Sequence, residues 1–189
     1  MKNRKRIQRI ATTLVFAMAI GLFGFVGSGA GCNEDTSAPG VYIIPDWPYD
    51  LADSGGHVDY DSNQSKYDDY VKSGVKVWNA HRAGTFRPDD LSVVGDVRIT
   101  DVNKPGNGWT GATNLTLGAI QLNSAYLDDS SSYSTNNIKH TVYHELGHTL
   151  GLDENNSGAS TSIMRQGKLT NITLSADDKA SFDAAATRY

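Results

Sequence analysis

Apolar positions change their spacing several times along this chain, and each change marks an element. Residues 11–27, ATTLVFAMAIGLFGFVG, are almost wholly apolar and show no period. The short run VYII, 41–44, sits among Pro, Gly and Asp and predicts an opening strand flanked by turns. Between Asn63 and Ala80, the residues Tyr67, Tyr70, Val71, Val75 and Trp78 recur at spacings of three and four, which predicts a helix with one face on a core. The β-branched stretch LSVVGDVRITDV, 91–102, predicts a strand, and so does LTLGAIQLN, 115–123, which alternates at Leu115, Leu117 and Ala119 before shifting phase. A polar run, DDSSSYSTNN, offers Asn136 or Asn137 as the N-cap of a helix over Ile138–Leu150. At roughly 100° per residue, Ile138, Val142, Leu146 and Leu150 fall within about 120° of one another, while His140, His144 and His148 fall on the opposite side. Gly151 is a left-handed stop for that helix. In LSADDKASFDAAATRY, Ser175 is an N-cap with Asp178 three residues on, which predicts a closing helix.

Length and composition add the frame. The chain has 189 residues, 39% hydrophobic and 20% charged, as expected for one soluble domain with a single core. Its first ten residues, MKNRKRIQRI, carry five positive charges and no acid; the apolar run then gives way to the small residues SGAGC. This pattern is an export signal over residues 1–30, with Ser28 and Ala30 placed for cleavage after Ala30. The apolar run is about 17 residues, the lower limit for a span, and no basic stop-transfer cluster follows, so no membrane span is expected after cleavage. Cys32 opens an alternative, a lipid anchor at the cell surface, although Gly29-Ala30-Gly31 lacks the large aliphatic residue expected before a lipidated cysteine. As the one cysteine of the chain, it forms no internal disulfide. Without the signal, 12 basic residues face 21 acidic ones and the formal charge is −9. That argues against nucleic acid or anionic membrane surfaces as partners and helps solubility outside the cell, where the export signal sends a secreted, extracellular protein. Residues 31–60 then form an N-terminal segment ahead of the main domain, 61–189.

The chemistry concentrates in HELGHTLGLDE, 144–154. Histidines at i and i+4 project from one helix face about 6 Å apart along the axis, close enough for two imidazoles to reach one zinc at roughly 2.0–2.1 Å. Glu145 lies beside that position, where a carboxylate can take a proton from metal-activated water and deliver it to a leaving amine.

Beyond these five letters, the segment resembles the metzincin signature HExxHxxGxxH with a methionine turn downstream. His144, Glu145, His148 and Gly151 match, and SIM, 162–164, looks like the Met-turn that sets Met164 beneath the metal. GAIQLNSAYL and LSADDKASFDAAATRY are similar to segments of matrixin-type catalytic domains. The resemblance implies an α+β, metzincin-like zincin: a twisted mixed β-sheet, a first helix, an active-site helix, the Met-turn and a C-terminal helix over 61–189. It also implies a single catalytic Zn2+, a protein or peptide substrate, and an edge strand within 117–123 to which substrate adds as a further strand. The expected activity is that of a monomeric zinc endopeptidase with Glu145 as general base. The Tyr-containing Met-turn of some metzincins is missing, since Met164 is followed by RQGKLT, and no cysteine-switch propeptide is visible.

Position 154 departs from the pattern: histidine is expected, glutamate stands there, and no histidine follows His148. Glu154 is in register and a carboxylate is a competent zinc ligand; Asp153 is the rival, one residue out of register. The missing histidine also motivates a different reading, a catalytically inactive binding protein on the same scaffold, which would have no need of Glu145. His140 stands about 12 Å along the axis from His148, too far to share its metal, and reads as solvent-facing or supporting. His57 and His81 read as surface residues, and Tyr67, Tyr70 and Trp78 as core. Calcium at Asp128-Asp129 or Asp177-Asp178 competes with loop solvation and helix capping, which explain those acids without a metal. A carboxylate in place of a neutral imidazole lowers the positive charge of the site and raises the pKa of a bound water. Peptidase activity measured against pH is therefore expected to rise at higher pH than for a three-histidine site; a profile already flat at pH 5 contradicts a carboxylate ligand.

Overall fold

Alternation of apolar and polar side chains builds the sheet. Val58 and Tyr60, Val97 and Ile99, Ile120 and Leu122 are all buried on its inner face. The computed structural model describes residues 39–46, 48–89 and 95–189. The signal residues 1–30, Cys32 and residues 91–94 of the LSVVG stretch lie outside these. Five strands, β1 (Val58–Asp61), β2 (Phe86–Pro88), β3 (Val97–Val102), β4 (Gly111–Asn114) and β5 (Ala119–Asn123), pair in the order β2-β1-β3-β5-β4. All neighbours are parallel except β4, which runs antiparallel to β5. With helices α1 (Asp68–His81), α2 (Ser124–Leu127), α3 (Thr135–Thr149) and α4 (Ala176–Ala185), and a closing 3₁₀ turn at Ala186–Arg188, the fold is a mixed α+β one. Among the described residues, no helix is long and apolar enough to cross a membrane.

Helix α1 forms where its three-and-four spacing predicts, with Val71, Val75 and Trp78 buried, Tyr67 buried at its N-cap and Tyr70 partly buried. It packs directly on α3 because two glycines let the backbones approach. A Cβ at Gly74 would lie 2.6 Å from the Tyr143 ring, and one at Gly147 would lie 2.3 Å from Met164 Sδ and 3.0 Å from the Trp78 ring. Trp78 also donates to the Tyr143 carbonyl at 3.0 Å and meets the Phe182 ring of α4 edge-on at 5.9 Å.

Three local expectations are corrected. The stretch 115–123 is not one strand: the phase shift after Leu117 marks the turn, residues 115–118, that joins β4 to β5, and only Ala119–Asn123 is strand. Asn114 Oδ1 accepts from the Leu117 N–H at 3.0 Å, Leu117 is exposed, and Gly118 holds φ +58° against the Asp96 carbonyl. The N-cap of α3 is Ser134 rather than an asparagine; Asn137 is its partner in a reciprocal capping box. The VYII segment joins no sheet and makes a single bridge, Ile43 to Leu152. The Tyr42 N–H donates to Ser181 Oγ at 2.9 Å and the preceding Gly40 N–H to Asp177 Oδ1 at 2.9 Å, both on α4; the Ile44 N–H donates to the Gly151 carbonyl at 2.9 Å, and Pro45 has no N–H to continue a ladder. The segment is a strap across the end of α3 and α4.

Helix α4 begins as its sequence predicts, with a capping box between Ser175 and Asp178. At Gly147, alanine would favour the helix by roughly 0.5–1 kcal/mol in isolation. Here it collides with Met164, so Gly147→Ala is expected to destabilise the fold by about 1–3 kcal/mol, the cost of overpacking, in denaturant-unfolding experiments.

Candidate metal centre

Helix α3 carries two of the converging groups. From Thr141 to Thr149 every residue is buried, so this helix is core on one side and site on the other. It ends in a Schellman turn: Leu152 N–H donates to the Gly147 carbonyl at 3.2 Å and Gly151 N–H to the His148 carbonyl at 3.0 Å. Gly151 takes φ +86°, and a Cβ there would press on the Tyr49 carbonyl at 2.9 Å. The reversal turns the Leu152 carbonyl back toward His148 and brings Glu154 over the helix.

Each imidazole is oriented by a main-chain carbonyl. His144 Nδ1 donates to Ile163 O at 3.0 Å and His148 Nδ1 to Leu152 O at 2.8 Å, which leaves both Nε2 lone pairs pointing inward. The two Nε2 atoms are 3.1 Å apart, and Glu154 Oε1 is 3.5 Å from each. Four ligands at about 2.0–2.1 Å around a tetrahedral zinc stand roughly 3.3–3.4 Å from one another. The triangle in this protein has that size. Glu154 Oε2 is buried without a hydrogen-bond partner, so the pocket concentrates electron pairs with too few donors to satisfy them. Such a donor set suits a divalent cation, and these three residues are the group able to hold one among the described residues. Asp153 stays outside: it is exposed, and its Oδ1 accepts from the Glu154 N–H at 2.8 Å.

The same closeness couples the charges of the three groups. Burial disfavours the imidazolium of His144, but the facing Glu154 carboxylate outweighs it and holds the pKa up at about 9. Burial alone would raise the Glu154 carboxyl; the two imidazoles against it hold it far below the usual carboxylate range.

Glu145 is buried on the adjacent face, and its Oε2 accepts from Thr113 Oγ1 of β4 at 2.7 Å. A Cβ at Gly111 would sit 2.6 Å from Glu145 Oε1, so only glycine lets the strand pass this close. Thr110, His140, Thr141, His144, Glu145, Arg165, Gln166 and Gly167 line a small cavity here. The strand beside the site is therefore β4, the edge of the sheet. The implied edge within 117–123 is corrected, because β5 is paired on both sides, with β3 and β4.

Below the cluster, Met164 is buried against Gly147. Its turn is held by Asp178, which accepts from Ser162 Oγ and, at 2.9 Å, from the Ile163 N–H. Asp178 thus caps α4 and fixes the carbonyl that orients His144. Sequence patterning found the cap; nothing in it signals the second role, nor the parts of Thr113 and Gln166. His140 is not solvent-facing: it is buried, with Nδ1 at 2.9 Å from Asn171 O and Nε2 at 3.2 Å from Arg165 O, and burial pushes its pKa down. His57 bonds to the Gly84 carbonyl at 2.7 Å and His81 to Asp183 at 2.8 Å, both away from the cluster. Asp128 pairs with Lys66 and accepts from Tyr67 OH, Asp129 accepts from Ser131, and Asp177 accepts from Gly40, Asn155 and Ala159.

No family model matches the chain, and no curated protein does. Among solved structures, it is similar to a chain of the "GM1 bound form of the ECX AB5 holotoxin", with 17% identity, 69% of this chain and 72% of that chain covered, and a TM-score of 0.39. So loose a likeness bears on neither fold nor function.

A metal ion at this triangle would compete with a proton for the His144 lone pair. The folded pKa of about 9 lies above the ordinary 6.5, so the metal-free site is stabilised by the imidazolium below 6.5 and loses that stabilisation as pH rises through 9. Zinc binding at pH 7 is expected to release about one proton, falling toward none above pH 9. Calorimetric titration in two buffers of different ionisation enthalpy measures it.

Proposed function

We propose that the protein is an exported zinc endopeptidase with a matrixin-like metzincin domain. The observation that carries this reading is the triangle of His144 Nε2, His148 Nε2 and Glu154 Oε1 with the Glu145 carboxylate on the next helical position. Supporting it are the mixed sheet, the glycine turn after α3, the methionine packed beneath the helix, and the closing helix.

A bound zinc would supply Lewis acidity toward the scissile carbonyl and toward water. His144, His148 and Glu154 would hold it, with the imidazole tautomers set by the Ile163 and Leu152 carbonyls. Glu145 does the proton work: one carboxylate oxygen is anchored by Thr113 Oγ1, and the group lines the cavity, placed to take a proton from the attacking water and return it to the leaving amine. The β4 edge, free of a strand partner on its outer side among the described residues, offers main-chain N–H and C=O groups to an extended peptide. Burial excludes bulk water from the histidines and the base, which strengthens every charge interaction in the site.

Glu145→Ala is expected to lower peptide hydrolysis by at least about 10²-fold while zinc stays bound. Assays on a peptide library together with metal analysis of the variant check this. Full activity without Glu145 refutes the mechanism; zinc bound by the wild type with no cleavage of any peptide favours a binding protein on this scaffold.

A further inference from the structure

Glu154 is the one member of the triangle that does not sit on α3, and its neighbours must stop the carboxylate from rotating. His144 and His148 each lean on a main-chain carbonyl. Glu154 leans on Gln166, whose Nε2 donates to Glu154 Oε1 at 3.0 Å. That oxygen is the one facing both imidazoles at 3.5 Å.

Gln166 is in turn held at two points by one residue. Its backbone N–H donates to Asn156 Oδ1 at 3.1 Å, and its Oε1 accepts from Asn156 Nδ2 at 3.1 Å. Both ends of the Asn156 amide are thereby committed, and the Gln166 amide can face only one way. Turned around, it would set an oxygen against the carboxylate and an NH2 against the NH2 of Asn156. The clasp also joins the chain just past the Gly151 turn to the segment two residues beyond Met164, whose neighbour Ile163 orients His144. Hydrogen bonds from these two joined segments thus aim all three ligand atoms.

We propose that Gln166, locked by Asn156, is the positioning residue that presents Glu154 Oε1 to the metal and sets the affinity and coordination geometry of the site. This rests on the reading of the triangle as a metal centre. A carboxylate oxygen has lone pairs for one N–H donor and one metal, so the Gln166 bond is compatible with ligation and restricts the carboxylate to it. The Asn156–Gln166 pair does for the carboxylate what the Ile163 and Leu152 carbonyls do for the imidazoles. A glutamate in the third position can therefore act as a directed ligand.

The test uses the purified full chain and the variants Gln166→Ala, Gln166→Glu, Asn156→Ala and, as control, Glu154→Ala. Zinc affinity is measured by competition with a chromophoric chelator, and coordination geometry by the visible spectrum of the cobalt(II)-loaded protein. Gln166→Ala is expected to weaken zinc binding by about 10- to 100-fold and to alter the cobalt bands. Gln166→Glu, which keeps the shape and sets carboxylate against carboxylate, weakens it further, and Asn156→Ala shifts both readouts the same way by less. A purely structural role would lower the thermal midpoint of the metal-free protein and leave affinity and spectrum alone. Wild-type zinc affinity and cobalt bands in the Gln166 variants, with zinc still lost in Glu154→Ala, overturn the inference and leave the metal centre standing. If neither Gln166 variant folds, Asn156→Ala, an exposed position, decides by the same two readouts. A wild type that binds no zinc, or a Glu154→Ala variant that binds it as tightly as the wild type, overturns the metal reading itself and this inference with it.

Discussion

Three electron-pair donors meet within 3.5 Å in a buried pocket, and two of them are imidazole nitrogens whose protons are committed on the far side of the ring. Uncompensated, that arrangement is repulsive in a medium where charges are poorly screened. A proton on His144, favoured by the facing Glu154 carboxylate, relieves part of it, and a divalent cation shared by all three donors would do the same for each. The rest of the molecule can be understood as the apparatus that holds this arrangement together.

Helix α3 has to be core and site at once, which explains its composition. Its apolar side locks into α1 and the sheet through Leu146, Val142 and Tyr143, and Gly147 admits Met164 and Trp78 to van der Waals contact with the helix backbone. Two residues ahead of β1 add main-chain bonds to the helix end, Ile44 N–H to the Gly151 carbonyl and Leu51 N–H to the Thr149 carbonyl. Asp178 couples the start of α4 to the turn beneath His144, so the closing helix stabilises the site without touching it. These supports are buried or half-buried, where a hydrogen bond is costly to leave unmade.

Legibility in the sequence followed range. The α1 face, the Gly151 stop, the capping box of α4 and the i, i+4 histidine pair could be read because each depends on residues within a turn or two of one another. The same reasoning erred where a local pattern had two solutions. LTLGAIQLN alternates like a strand, but Asn114 and Gly118 satisfy a turn as well, and the Asp96 carbonyl next to Gly118 lies on another strand's approach. VYII has strand composition, yet the Tyr42 N–H finds Ser181 Oγ of α4, 139 residues away, and the Ile44 N–H finds the Gly151 carbonyl, so neither joins the sheet. His140 shares the spacing of its two neighbours, which leaves a solvent-facing and a supporting place both open; the first fails because the Asn171 and Arg165 carbonyls that bury it arrive from a later loop.

By itself, then, the sequence determined the local chemistry: which groups share a helix face, where that helix stops, and that a carboxylate stands in register where the stop leads. The tertiary structure alone decided which of the two adjacent acids turns inward, which carbonyls direct the imidazoles, which strand borders Glu145, and that Gln166 and Asp178 serve the site. The physical reason is that periodicity and capping are short-range properties of one segment. A hydrogen bond from Thr113 to Glu145, or from Gln166 to Glu154, is set by the packing of segments whose relative placement no spacing encodes.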